Sequence, residues 1–104
     1  MTEEEFRETF RHSPIKRAKR AGLLRNVCVA LGNTGDSRAV PALMEALRHD
    51  EPLVRGPAAW ALGRIGRPEA MNALVQALAT EKDESVRGEL AEALNMDTYD
   101  STDP

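Results

Sequence analysis

Displaced against itself by 31 residues, the chain brings Ala30-Leu31-Gly32 onto Ala61-Leu62-Gly63 and Gly35 onto Gly66. The same displacement brings Ala42-Leu43 onto Ala73-Leu74 and Ala46-Leu47 onto Ala77-Leu78. Moved by 32, Val54-Arg55-Gly56 falls on Val86-Arg87-Gly88, and Ala61-Leu62 on Ala93-Leu94. A fixed period near thirty means a supersecondary unit stacked on copies of itself, because one such unit cannot bury its apolar face alone. The sequence therefore predicts an all-α fold, a short α-solenoid of helix pairs with about five to six helices in 104 residues. Composition agrees. Hydrophobic residues make up 41%, yet the aromatics are only Phe6, Phe10, Trp60 and Tyr99, so Ala, Leu and Val must form a core of closely approaching helices.

Each period reads as two helices. Asp36 or Ser37 caps the first, with Val40, Leu43, Met44 and Leu47 at i, i+3, i+4, i+7. His49-Asp50-Glu51-Pro52 interrupts it, and Val54, Ala58, Ala61, Leu62 and Ile65 form the stripe of a second helix that Gly63 and Gly66 end. Pro68 opens a third helix with Met71, Leu74, Val75 and Leu78 inward. Thr80 to Ser85 is a turn, and Val86, Leu90, Ala93 and Leu94 form the last stripe. Ahead of these, Thr2 with Glu5 makes a capping box for a short helix carrying Phe6 and Phe10. Ser13-Pro14 then starts a helix running to about Leu31, with Leu24, Val27, Cys28 and Leu31 as its core face. Three segments result. Residues 1–35 are a helical extension and first repeat helix with a basic segment, 36–95 are helix pairs, and 96–104 are a disordered acidic tail.

The net charge of −3 conceals a division. Ser13 to Gly35 holds Lys16, Arg17, Lys19, Arg20 and Arg25 and no acid, whereas Glu81 to Pro104 holds eight acids against Lys82 and Arg87. Turned at about 100° per residue, Lys16, Arg17, Lys19 and Arg20 fall largely on the side that carries Leu24, Val27, Cys28 and Leu31 further along. Either the N-terminal half of this helix projects past the core or Gly22 redirects it, presenting four cations together at an edge. The alternative is two solvated surfaces of opposite sign. No uncharged run approaches the roughly 20 residues that cross a bilayer, and no basic-then-apolar leader opens the chain. The expectation is a cytoplasmic domain with no membrane contact.

Catalytic chemistry finds no foothold. A single cysteine excludes an internal disulfide and a cysteine-ligated zinc or iron–sulfur site. Cys28 sits among apolar neighbours as a small buried hydrophobe, and His12 and His49 stand alone in turns. No Ser/His/Asp set, phosphate loop or close carboxylate pair occurs.

Val54-Arg55-x-x-Ala58-Ala59-x-Ala61-Leu62-Gly63-x-Ile65-Gly66 resembles the HEAT-like repeat of phycobilin lyases, a pair of short antiparallel helices stacked in a right-handed solenoid. Ser13-Pro14-Ile15-Lys16-Arg17-Ala18-Lys19-Arg20, Gly22-Leu23-Leu24-Arg25-Asn26 and Val29-Ala30-Leu31-Gly32-Asn33 are more specific. With Glu3-Glu4-Glu5-Phe6-Arg7 and Pro52-Leu53-Val54-Arg55-Gly56, they resemble the C-terminal region of the epoxyqueuosine reductases. That resemblance, close over about residues 2 to 67, implies a part in queuosine biosynthesis, a tRNA-processing pathway in which an epoxide on the wobble base is reduced to an alkene. It implies a cobalamin and two [4Fe–4S] clusters in upstream domains, and C-terminal repeats that help hold the tRNA anticodon stem-loop. The cysteine run of those domains is absent, so reductase activity and cofactors are not expected of this chain alone.

The RNA-binding candidates are Lys16, Arg17, Lys19, Arg20 and Arg25, which neutralise phosphate, together with Arg55, Trp60 and Arg64 on one helix of a concave surface. Trp60 either stacks on a base or seals a gap between helices. Arg55 and Arg87 either meet RNA or pair with acids such as Asp50 and Asp83 at repeat-equivalent positions. Two functions stand: a non-catalytic domain binding tRNA, or a protein–protein interaction scaffold that docks another protein or an upstream catalytic domain.

Overall fold

The computed structural model describes residues 17–102, with side-chain surroundings for residues 19–95. Among these residues are five α-helices and one 3₁₀ turn: α1 (Arg17–Thr34), the turn Ser37–Ala39, α2 (Val40–Ala46), α3 (Pro52–Ile65), α4 (Pro68–Thr80) and α5 (Glu84–Thr102). The Thr2 capping box, Phe6, Phe10, the Ser13-Pro14 start and Lys16 lie outside the described residues.

Local chemistry sets each boundary. Gly35 and Gly66 follow α1 and α3 at φ 69° and 71°, in the left-handed region that side chains with a Cβ disfavour. The Gly66 N–H closes the last turn on Leu62 O at 3.0 Å. Asp36 caps the 3₁₀ turn through Arg38 N at 2.9 Å. The α2 helix stops at Ala46, before the interrupting segment, and Pro52 opens α3 at its first position instead of breaking a helix. Pro68 does the same for α4. Asp83 Oδ1 accepts from Val86 N at 3.0 Å and caps α5.

Helices α1, α3 and α5 form an inner layer, with α3 packed extensively on both others, while α2 and α4 lie outside it. Leu24, Cys28, Leu43, Val54, Ala58, Ala61, Leu62, Leu74 and Leu90 are fully buried, as the repeat pattern predicts. Each buried Leu contributes about 2 kcal/mol. Val75, expected inward, is 55% exposed, because α4 packs on the inner layer through the side carrying Ala70 and Leu74.

Gly63 departs from its expected role. It lies inside α3, and a Cβ there would stand 2.8 Å from Ala93 Cβ and 3.0 Å from Ala93 Cα. Gly32 of α1 is its counterpart, where a Cβ would meet Trp60 Cζ3 at 2.6 Å and Ala61 Cα at 2.9 Å. The first two inner helices, α1 and α3, thus each offer a glycine to an alanine of the next. Gly56 facing Glu89 and Gly63 facing Ala93 advance together along the chain, so α3 and α5 run parallel.

The tail expected over residues 96–104 differs as well, since α5 continues to Thr102. Displaced by 32 from the stopping Gly66 stands Thr98, which does not favour the left-handed turn, and neither glycine nor proline occurs between Asn95 and Thr102.

These glycines predict opposite outcomes for the same change. Gly63→Ala forces backbone apart and costs roughly 1–3 kcal/mol by urea unfolding. Gly88→Ala, at a helical position with nothing within 4 Å, stabilises by about 0.5–1 kcal/mol.

Candidate nucleic-acid interface

The basic helix α1 carries Lys19 and Arg25 exposed to solvent. Lys16 lies outside the described residues, and Arg17 enters only through its backbone in α1. Arg20 departs from the expectation of four cations presented together, because only 6% of it is exposed and its Nη2 has no hydrogen-bond partner. Its place explains this: Leu24 follows it by one helical turn and is fully buried, so both project to the same side. Burial lowers the pKa of Arg20 from its ordinary value. Leu23, 49% exposed, lies among these residues on α1.

Trp60 and Arg64 stand near the other end of the inner layer. Because Gly32 meets Ala61, Arg64 sits past the C-terminal part of α1, roughly 20 Å along the helix from Lys19. The edge of the Trp60 ring closes over Gly32, and the guanidinium of Arg64 lies 5.5 Å from its centroid. Of the two roles open to Trp60, this is the sealing one, with a cation–π contact on the ring. Arg64 remains exposed. The structure therefore brings Lys19 and Arg25 together on one helix and sets the Trp60–Arg64 pair apart from them.

Arg55 is occupied elsewhere. Its Nε and Nη2 donate to both carboxylate oxygens of Glu81 at 2.9 Å, and its Nη1 donates to His49 O at 2.8 Å. The pairing with an acid expected for Arg55 occurs, but with Glu81 rather than Asp50, because the loop after α4 passes directly over the start of α3. Arg87 lies one period later and donates to Leu78 O and Glu81 O, at 3.0 and 2.9 Å, rather than to Asp83, which is engaged in capping α5. Both arginines hold loops. Sequence spacing alone could not select Glu81 from its neighbouring acids.

Burial pushes the Glu81 carboxyl up, but the Arg55 guanidinium and the N–H groups of Asp83 and Lys82 outweigh it and hold the carboxyl below its ordinary range. The folded state thus binds this proton less tightly than the unfolded chain. The stabilisation is complete above the ordinary glutamate range and is lost as pH falls through the depressed value. Arg55→Met should cost roughly 3 kcal/mol at pH 7. The gap from the wild type should narrow in urea unfolding at about pH 4, where protonated Glu81 needs no counter-charge.

An open groove of about 1400 Å³ runs between α1 and α2, lined by Val27, Leu31, Val40 and Met44, with Arg38 and Arg48 at its rim. Being open, it does not exclude water from a reaction. Among the described residues no group of three or more His, Cys, Asp or Glu could hold a metal ion. A cysteine-ligated iron–sulfur cluster does not fit a sequence whose single cysteine is Cys28. Cys28 is fully buried, and burial pushes its thiol up to about 12, far from the thiolate a cluster requires. A thiol reagent at pH 8 should label Cys28 at least about a hundredfold more slowly in the native chain than in urea. No helix among the described residues is long and apolar enough to cross a membrane.

The profile of HEAT repeats matches residues 15–95. A Geobacillus stearothermophilus protein described as an uncharacterized protein in the gldA 3'region is 37% identical over 93 residues, 88% of this chain and 43% of that protein. The epoxyqueuosine reductase of Bacillus subtilis is also 37% identical over 93 residues, covering 88% of this chain and 24% of that enzyme. That of Bacillus cereus is 39% identical over 75 residues, 71% of this chain and 20% of the enzyme. The chain thus spans less than half the length of these relatives.

Proposed function

Since the chain belongs to the HEAT-repeat family, we propose that it is a non-catalytic repeat domain that binds a tRNA anticodon stem-loop, in the manner of the repeat region of an epoxyqueuosine reductase. One observation carries the reading: a helix exposing Lys19 and Arg25, within a stretch from Ser13 to Gly35 that holds no acid, in a region 37% identical to such a reductase. Cations on a rigid helix supply phosphate contacts whose strength falls steeply with salt, since each contact releases counterions. The acid-rich end that includes α5 repels a polyanion, which favours approach over α1. Reduction of the epoxide, with its cobalamin and clusters, belongs to other parts of such an enzyme, and the setting is the cytoplasm.

A second reading, a protein–protein interaction scaffold, draws support from Leu23 and Leu53, 49% and 59% exposed. Two large apolar side chains left in water suit a protein partner, such as an upstream catalytic domain, better than a nucleic acid. Charge reversal separates the readings. Lys19→Glu with Arg25→Glu should weaken stem-loop binding more than about tenfold and reduce the salt slope by roughly 1 to 2. Unchanged binding, or none at low salt in the wild type, transfers the assignment to the scaffold.

A further inference from the structure

We infer that Arg20 is the seat of a phosphate group, supplied by the RNA backbone on the reading above, on which that source rests. Arg20 is 6% exposed, and its Nη2 is buried and lacks a partner. An arginine remains charged at any physiological pH, and a buried charge without a counter-charge costs several kcal/mol. Arg55, the other guanidinium set into the fold, has all three nitrogens engaged by Glu81 and His49.

The repeat shows why Arg20 has no such answer. Displaced by 31 it falls on Glu51, and by a further 32 on Asp83. Glu51 is the N-cap residue of α3, and Asp83 caps α5 through Val86 N. In the later repeats this position therefore carries an acid ahead of the inner helix. In the first it carries a cation inside the helix, and the segment from Ser13 to Gly35 holds no acid to meet it. Among the described residues, the pairing with an acid that serves Arg55 is thus not available to Arg20.

Chemistry selects the ligand. The planar fork of a guanidinium matches two oxygens of one phosphate, giving paired charge-assisted hydrogen bonds. Exposed Lys19 and Arg25 on the same helix raise the local concentration of a polyanion. They mark a site for the phosphate of a strand more than for an isolated carboxylate.

The test uses the full chain, with inorganic phosphate and an anticodon stem-loop as separate probes. Phosphate should raise the thermal midpoint of the wild type by about 3 °C over chloride at equal ionic strength. Arg20→Met should abolish that shift while remaining folded, since it removes an unpaired buried charge. Arg20→Lys, which keeps the charge but loses the fork, should recover only part of it. Stem-loop affinity should fall about tenfold in Arg20→Met. A phosphate shift absent from the wild type, or surviving in Arg20→Met, overturns the seat. A phosphate shift that depends on Arg20, with no stem-loop binding by the wild type, leaves the seat standing for free phosphate and overturns RNA as its source.

Discussion

The close approach of glycine to alanine between successive inner helices sets the geometry on which the rest of the molecule depends. Gly32 receives Ala61, and Gly63 receives Ala93, at separations that leave no room for a Cβ. With backbones this near, a core of alanines and leucines packs densely, with no fully buried aromatic ring among the described residues, since the volume between helices is already small. The same spacing brings Trp60 over Gly32, where its ring covers the crossing of α1 and α3. The outer helices α2 and α4 then lie on a surface that the inner layer has already shaped.

A second constraint acts across the repeats. Arg55 joins the loop before α3 to the loop before α5, through His49 O and the Glu81 carboxylate. Side-chain exposures of 17% for Arg55 and 7% for Glu81 remove the pair from the surface. An arginine held in this way fixes neighbouring units relative to each other, and its donors are unavailable to a ligand. Arg87 holds its own loop in the same manner, one period along. The period therefore carries loop fixation as well as core packing.

Charge divides along the solenoid in step with its two ends. The first inner helix is basic and the last lies in an acid-rich segment, so a polyanion meets a favourable field over α1 and an adverse one over α5. Within α1 the cations are not equivalent. Lys19 and Arg25 face water, while Arg20 lies with the core face that its neighbour Leu24 defines.

The sequence by itself determined the helix pairs, the buried stripes and the asymmetry of charge, because a 31- to 32-residue period and helical spacing are local or self-referential properties of the chain. It also marked where α3 stops, since glycine at Gly66 relieves a steric penalty that is local, whereas α1, expected to end near Leu31, runs on to Thr34 before Gly35 takes the left-handed turn. Tertiary structure decided what depends on a neighbouring helix. Gly63 looks like a helix terminator until Ala93 is brought against it, and Trp60 looks available for stacking until Gly32 lies beneath its edge. Arg55 had several acids within reach of the sequence pattern, and only the path of the loop after α4 selected Glu81. The burial of Arg20 is of the same kind. A helical wheel places it on the apolar side, but only the packed layers decide whether that side, at that height, meets protein or water.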